Sequence, residues 1–434
     1  MFSRQCILLI FLVGFYVIFS TANDWPEYRG AGRIGVWDEP RVVNQLDGET
    51  LKLKWSVPIG PGYSGPTVQG DRVFAMDRVD TNERVVCLDR ETGETLWVHA
   101  YAASYEGVGF PLGPRASVTI EEGLAWSMGA MGHLFCLDVL TGRVVWEVNG
   151  LEAYSIDMPN WGIAGSPLVA GDLVIVQMGG REGACVVAFD KATGMEAWRA
   201  FDDKASYVSP RMITQAGQPI LVVWTADRIA GMSAQTGEVY WEHETPPERW
   251  PINTVGPALN DSGELMFLTT IGEGSRLLRL SQDELAVEEL WARKGVSESK
   301  TDALQSMISP PLFFGGYIYG VDSYGQLRCL DPETGDRIWE SAGEAVREGV
   351  WSTVFMVQNH SRTWMFTEEG NLIIAELSPE GYQEISRANV IKPTTFLKRR
   401  STEVAWSHPA FAGTEVFVRN DETLVCVDLV APES

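Results

Sequence analysis

Several ordinary signatures are missing from this chain of 434 residues. It has six cysteines, no C-x-x-C pair and no adjacent Cys-Cys, so neither a zinc site nor a dithiol redox centre is indicated. Histidine is scarce, with five residues scattered along the chain. No P-loop, G-x-S-x-G elbow, H-E-x-x-H or EF-hand loop is present, which removes the usual phosphate, acyl-transfer, zinc-protease and calcium-sensor readings. Positive charge is short: 34 Lys and Arg against 58 Asp and Glu leave a formal charge of −24. Such a surface repels phosphate backbones and anionic membranes, so no nucleic-acid partner is expected. The one basic run, Lys398–Arg400, reads as a solvated loop.

Long apolar runs are also lacking beyond the first twenty residues. There, Arg4 precedes the apolar stretch Ile7–Phe19, and Ser20-Thr21-Ala22 offers small residues for cleavage after Ala22. The stretch is short for a bilayer span, which needs about 20 residues, and it has the layout of an export signal. Residues 1–22 are therefore read as a signal peptide, with an uncleaved anchor as the alternative. The remainder is expected to be periplasmic or secreted, monomeric and without a membrane span. Export permits disulfides, but Cys87, Cys136, Cys185, Cys329 and Cys426 are odd in number and cannot all pair; they are expected to be small buried hydrophobes, since all but Cys185 fall in or next to a position that must be small in a recurring sequence motif.

What is abundant is glycine (43) and tryptophan (16), and both recur in register. A pattern small–x–Asp–x–x–x–Gly–x–x–x–Trp runs through Cys87, Asp89, Gly93, Trp97; Cys136, Asp138, Gly142, Trp146; Ala188, Asp190, Gly194, Trp198; Gly231, Ser233, Gly237, Trp241; and Cys329, Asp331, Gly335, Trp339. A copy ending at Trp291 lacks the glycine, a copy at Ala375, Leu377, Gly381, Ile385 lacks Asp and Trp, and a last one starts at Cys426 and Asp428. Upstream of most copies stand a Ser/Gly-Pro start and short β-rich runs such as "DLVIVQM". Four short strands per unit of about 40–50 residues is the signature of a propeller blade. Asp-x-x-Thr-Gly is the third hairpin turn, with Asp accepting from the turn amides and Gly supplying a positive φ. The Trp lies on the fourth, outer strand. The last unit has no Trp, whereas 51–58 ("LKLKWSVP") is an unpaired strand carrying Trp55. Pairing it with the last unit closes an eight-bladed, all-β propeller over 51–430 and leaves no open edge.

These motifs resemble the PQQ-like repeat family, which includes quinoprotein alcohol dehydrogenases and BamB-like envelope proteins. The segment "DWPEYRGAGRIGVWDE" (24–39), within a lead-in of 23–50, is similar to a lead-in of exported members; Trp25 or Arg29 is expected to pack on the propeller flank. For a dehydrogenase member, the resemblance implies an adjacent cysteine pair, Glu, Asn and Asp around calcium, and an Asp base. None of these is matched here, so no cofactor is expected, with PQQ and calcium as the alternative.

Residues entering the innermost strands converge at a propeller's axis. Three places before the recurring Pro, or before Val118 and Val354 in the same slot, stand Tyr63, Arg115, Ala164, Tyr207, Thr254, Met307, Trp351 and Trp406, with Trp161 and Trp250 nearby and His408 in the same mouth. The candidate binding residues are Tyr63, Arg115, Trp161, Tyr207, Trp351, Trp406 and His408. Aromatics so placed stack on sugar rings or hold a peptide; the bland alternative is a packed plug. The glycine-rich "GVGFPLG" (107–113) reads as a loop. The expected function is a non-catalytic exported scaffold binding a protein or glycan in the cell envelope. The alternatives are a PQQ- and calcium-dependent dehydrogenase with a divergent site, and a carbohydrate-active enzyme using the aromatic mouth.

Overall fold

The computed structural model describes residues 24–248 and 253–432; the signal segment and Trp250 lie outside the described residues. Eight four-stranded antiparallel sheets follow one another around the ring. Blades one to seven are formed by 67–102, 119–149, 168–200, 211–244, 258–293, 312–342 and 354–389 in simple up-and-down order. Blade eight takes three strands from 410–428 and its outermost strand, Trp55–Pro58, from the other end of the chain. Its register is Trp55 opposite Cys426 and Pro58 opposite Thr423.

The repeat pattern explains itself at the blade junctions. Asp89 Oδ1 accepts from Thr92 N at 2.8 Å and from Thr92 Oγ1 at 2.9 Å, and the Asp138 and Asp190 turns are built alike. These bonds hold the Asp carboxyls below their usual range. Each repeat Trp pairs across its own hairpin with the small residue: Cys87 faces Trp97, Cys136 faces Trp146, Ala188 faces Trp198 and Cys329 faces Trp339. A bulge follows immediately in each of these pairs and aims the ring sideways. The indole then reaches the next blade. Trp97 Nε1 donates to Val139 O at 2.9 Å, Trp146 to Lys191 O at 2.9 Å and Trp198 to Ala234 O at 3.0 Å, each acceptor following the turn's first residue. The turn glycine lies beneath the ring: a Cβ on Gly142 would stand 2.5 Å from Trp97 Cε3, and one on Gly194 2.6 Å from Trp146 Cδ2. That glycine thus answers two demands, a positive φ and a docking surface, of which the sequence had suggested only the first. Trp241 departs from the rule and donates to Gln215 of its own blade at 2.7 Å, because the next blade has no such turn.

The lead-in segment differs from expectation. It does not pack on the flank but crosses the channel. Trp25 exchanges two backbone hydrogen bonds with Val68 on the innermost strand of blade one (2.9 and 2.8 Å), and Pro26 O accepts from Ile120 of blade two. Arg33 reaches blades three and four, donating to Ser166 O and Pro210 O at 3.1 and 2.7 Å. Gly35 and Trp37 then pair with Gln358 on the innermost strand of blade seven. Trp25 and Trp37 belong to one apolar core with Trp364 and Phe411. The reason is chemical: the innermost strands present free backbone edges to the axis, and the segment satisfies them.

Two ribbons, 295–301 and 395–404, were not foreseen. The second carries the basic run at its turn, where Lys398 and Arg399 are exposed as a solvated loop would have them, Arg399 lying 4.6 Å over the Trp351 ring; Arg400 departs, its side chain turned inward against Glu368 at 2.7 Å. Five cysteines are free and buried. Among the described residues no helix is long and apolar enough to cross a membrane.

Candidate functional site

The eight residues that enter the innermost strands form one ring. Tyr63, Arg115, Ala164, Tyr207, Thr254, Met307, Trp351 and Trp406, one per blade, all line a single cavity of about 150 Å³ at one end of the channel. Trp161 and His408 line it as well, so all seven candidate residues meet there. The repeat geometry compels this, since equivalent positions in successive blades differ only by rotation about the axis.

Each side chain is fixed by a different neighbour. Trp406 Nε1 donates to Glu368 at 3.3 Å, and Trp351 Nε1 donates to Glu298 at 3.1 Å. With their N–H groups occupied, both indoles offer faces to the cavity. Burial pushes the Glu368 carboxyl above its usual range, against the pull of Arg400. Trp161 stacks beside Tyr207 with centroids 5.0 Å apart, and Tyr207 Oη accepts from Trp161 N at 3.3 Å. His408 is buried, 2.9 Å from Ser117 Oγ, with Tyr28 edge-on at 4.8 Å. Burial, reinforced by the positive charge of Arg29, pushes its pKa down to about 4, so the ring is neutral at physiological pH.

Three aromatic residues missed by sequence reasoning complete the bowl. Tyr28, from the lead-in, and Phe355 lie on the side facing the channel. Phe110, from the glycine-rich loop, closes the outer side: its ring centroid is 6.2 Å from Trp161, 6.4 Å from Trp351 and 5.9 Å from Trp406. Arg115 lines the cavity but spends its donors on that loop, giving hydrogen bonds to Gly113 O, to Gly109 O at 2.9 Å and to Phe110 O at 2.7 Å. It is the staple of the Phe110 loop, not a free cation. The loop's only sequence signal was its glycines, which mark irregular backbone and say nothing of where it folds. A wider cavity of about 700 Å³ adjoins the bowl through Trp161, Tyr207, Met307 and Trp351. Its polar wall includes Glu248 and Glu273, both paired with Lys294 at 2.7 and 3.1 Å.

The bowl's wall fits a stacked ring better than a metal-bound cofactor. Calcium takes six to eight oxygens, mostly from carboxylates and carbonyls. No Asp or Glu lines the bowl, and among the described residues no three His, Cys, Asp or Glu gather as a metal would need. The side chains present do not fit a calcium-bound quinone there.

Comparison with known proteins places the chain in context. The family model described as outer membrane protein assembly factor BamB matches residues 26–149 and 81–341. The dehydrogenase subunit of alcohol dehydrogenase (quinone) from Komagataeibacter europaeus is 30% identical over 317 residues, covering 68% of this chain and 35% of that one. The BamB protein of Yersinia pestis is 22% identical over 355 residues, covering 68% and 81%. The chain spans between 22% and 35% of the length of three quinone alcohol dehydrogenase subunits it matches. Among solved structures, BamB from Moraxella catarrhalis superimposes with a TM-score of 0.60 at 16% identity, covering 87% of this chain and all of that one. Quinohemoprotein alcohol dehydrogenase from Comamonas testosteroni gives 0.65 at 14% identity, covering 95% and 81%. At these identities the superpositions speak for the fold.

Proposed function

The chain belongs to the family of the outer membrane protein assembly factor BamB, and from that premise we propose that it is a non-catalytic binding protein of the cell envelope whose aromatic bowl receives a glycan or peptide segment. The observation that carries this reading is the eightfold ring itself: four aromatic side chains and no carboxylate among eight equivalent positions. Indole faces held by Glu298 and Glu368 favour stacking on the C–H face of a sugar or on a proline or aromatic side chain. The adjoining polar cavity gives a chain-like ligand room to continue.

The dehydrogenase reading draws on relatives that this chain matches over a minority of their length, and the bowl offers none of the oxygen ligands that reading needs. A sugar-cleaving reading needs a pair of carboxylates flanking the scissile bond, and Glu248 and Glu273 are both tied to Lys294. The test is a glycan array and an envelope peptide library probed with the protein and with Trp351→Ala and Trp406→Ala. Binding that weakens about two- to tenfold in both variants, at roughly 0.5–1.5 kcal/mol per stacked ring, supports the proposal. Alcohol-dependent dye reduction on addition of PQQ and Ca²⁺ overturns it.

A further inference from the structure

Toward the other end of the channel lies a second cavity of about 260 Å³, which meets the bowl at Tyr28, Ser209 and Gly256. Its wall gathers Arg29 and Arg33 from the lead-in and Arg211 from the innermost strand of blade four. Three guanidinium groups around one hole stand out in a chain of net charge −24. Arg33 is satisfied: Glu27 lies 2.6 Å from its Nε, and Ser166, Pro167 and Pro210 carbonyls take its other donors.

Arg29 and Arg211 are not. Among the described residues neither has an ion pair, and each makes one hydrogen bond, Arg29 Nη2 to Ile34 O at 3.3 Å and Arg211 Nη1 to Pro257 O at 3.2 Å. A guanidinium carries five N–H donors. The Nε atoms of both are shielded from solvent and have no partner. Burial, together with the positive charges of Arg29 and Arg33 against the single opposing charge of Glu27, pushes Arg211 down to about 10. The one carboxylate on the wall, Asp261, is exposed. Both side chains are part-buried, and a part-buried cation without a counter-charge favours an anion beside it; here two such groups line one cavity.

The local backbone is shaped for this placement. Arg29 and Arg33 both adopt positive φ (63° and 61°), interleaved with Gly30, Gly32 and Gly35. L-residues pay for that conformation, of order 1–3 kcal/mol each, and keep it only where the surroundings fix it. The bonds of Trp25, Pro26, Gly35 and Trp37 to blades one, two and seven fix it here. The curl of "RGAGRIG" thus carries two arginines into the axis, where the blades supply a third.

We propose that this end of the channel binds a small oxyanion, a carboxylate, sulfate or phosphate ester group, between the guanidinium groups of Arg29 and Arg211. Such a group accepts charge-assisted hydrogen bonds from both forks. The site is independent of the ligand of the bowl, so a failure to bind glycan or peptide leaves it standing.

The test is thermal unfolding of the whole protein in sodium phosphate, sulfate or acetate, matched in ionic strength with chloride, for the wild type, Arg29→Met and Arg211→Met. The expected result is a saturable rise in Tm for the wild type and a half-saturating concentration about tenfold higher in each variant. The order among the three anions tells tetrahedral from planar recognition. Should a variant fail to fold, line broadening of the ³¹P signal of phosphate by the wild type, reversed by sulfate or acetate, serves instead. No saturable shift beyond chloride and no broadening, or equal shifts in all three proteins, overturns the proposal.

Discussion

Trp55 lies across Gly93: a Cβ on that glycine would come within 2.8 Å of Trp55 Cδ2, and Trp55 Nε1 donates to Arg90 O at 2.9 Å. This is the contact that blades one, two and three make with the next, here made by a strand from the far end of the chain. It closes the ring between blades eight and one, beside the ion pairs of Glu415 with Arg90 and Lys54 (2.6 and 2.7 Å). Replacing Trp55 by Ala is expected to cost about 3–5 kcal/mol, the range for emptying a buried Trp site, read as a drop in the denaturant midpoint. An unchanged midpoint would mean that the closure is not held by this ring.

The turn glycines offer a sharper comparison. Gly142 (φ 69°) has Trp97 against it, whereas Gly123 (φ 81°) has nothing within 4 Å of where a Cβ would stand. Alanine at Gly123 meets the strain of positive φ alone, about 1 kcal/mol. Alanine at Gly142 meets that strain and also displaces an indole. The expected order is Gly142→Ala more destabilising than Gly123→Ala by roughly 1–3 kcal/mol, the usual cost of overpacking. Chemical denaturation of both variants measures the difference.

Phe110 touches three tryptophans across the mouth of the bowl, so a ligand must displace it. Phe110→Ala is expected to speed association severalfold with little change in stability, because the residue sits in a loop and is only partly buried. Arg115→Ala, which frees the loop's carbonyls, is expected to act the same way more weakly. Stopped-flow tryptophan quenching with the ligand found by array or library reads both rates.

His408 gives the fold a pH dependence of known sign. Its folded pKa, near 4, lies below the unfolded value of about 6.5. The unfolded chain therefore takes up the proton first. Stability is complete above pH 6.5 and falls as pH drops toward 4, by about 2 kcal/mol at pH 5 from this group. His408→Gln is expected to flatten that part of the profile, as followed by denaturation at pH 7, 6 and 5. A slope identical to that of the wild type would contradict the buried neutral ring.

The buried thiols predict a chemical silence. Burial pushes Cys87 and Cys329 up to about 11 and Cys136 to about 12, and it raises Cys185 and Cys426 as well. In a chain begun at Asn23, none of the five is expected to react with Ellman's reagent at pH 8 when folded, and all five are expected to react in guanidinium.

The sequence alone determined the blade count, the strand order, the closure of the last blade by the strand carrying Trp55, and the eight-residue ring of the mouth. All of these follow from a repeat whose register fixes equivalent positions in space, so that alignment by eye amounts to rotation about an axis. Tertiary structure decided what the non-repeating segments do. The lead-in 24–39, the loop carrying Phe110 and the hairpin with Arg399 and Arg400 have no counterparts in other blades, hence no register to read. Their places depend on which free backbone edges, carbonyls and buried carboxylates the finished ring leaves unsatisfied. Arg400 finds Glu368, Arg115 finds the carbonyls of its own loop, and Arg29 and Arg211 are left facing one another's charge. Such pairings become defined only in the folded ring, because the groups that meet, whether as near in sequence as Arg115 and Phe110 or as far as Arg29 and Arg211, share no repeating pattern.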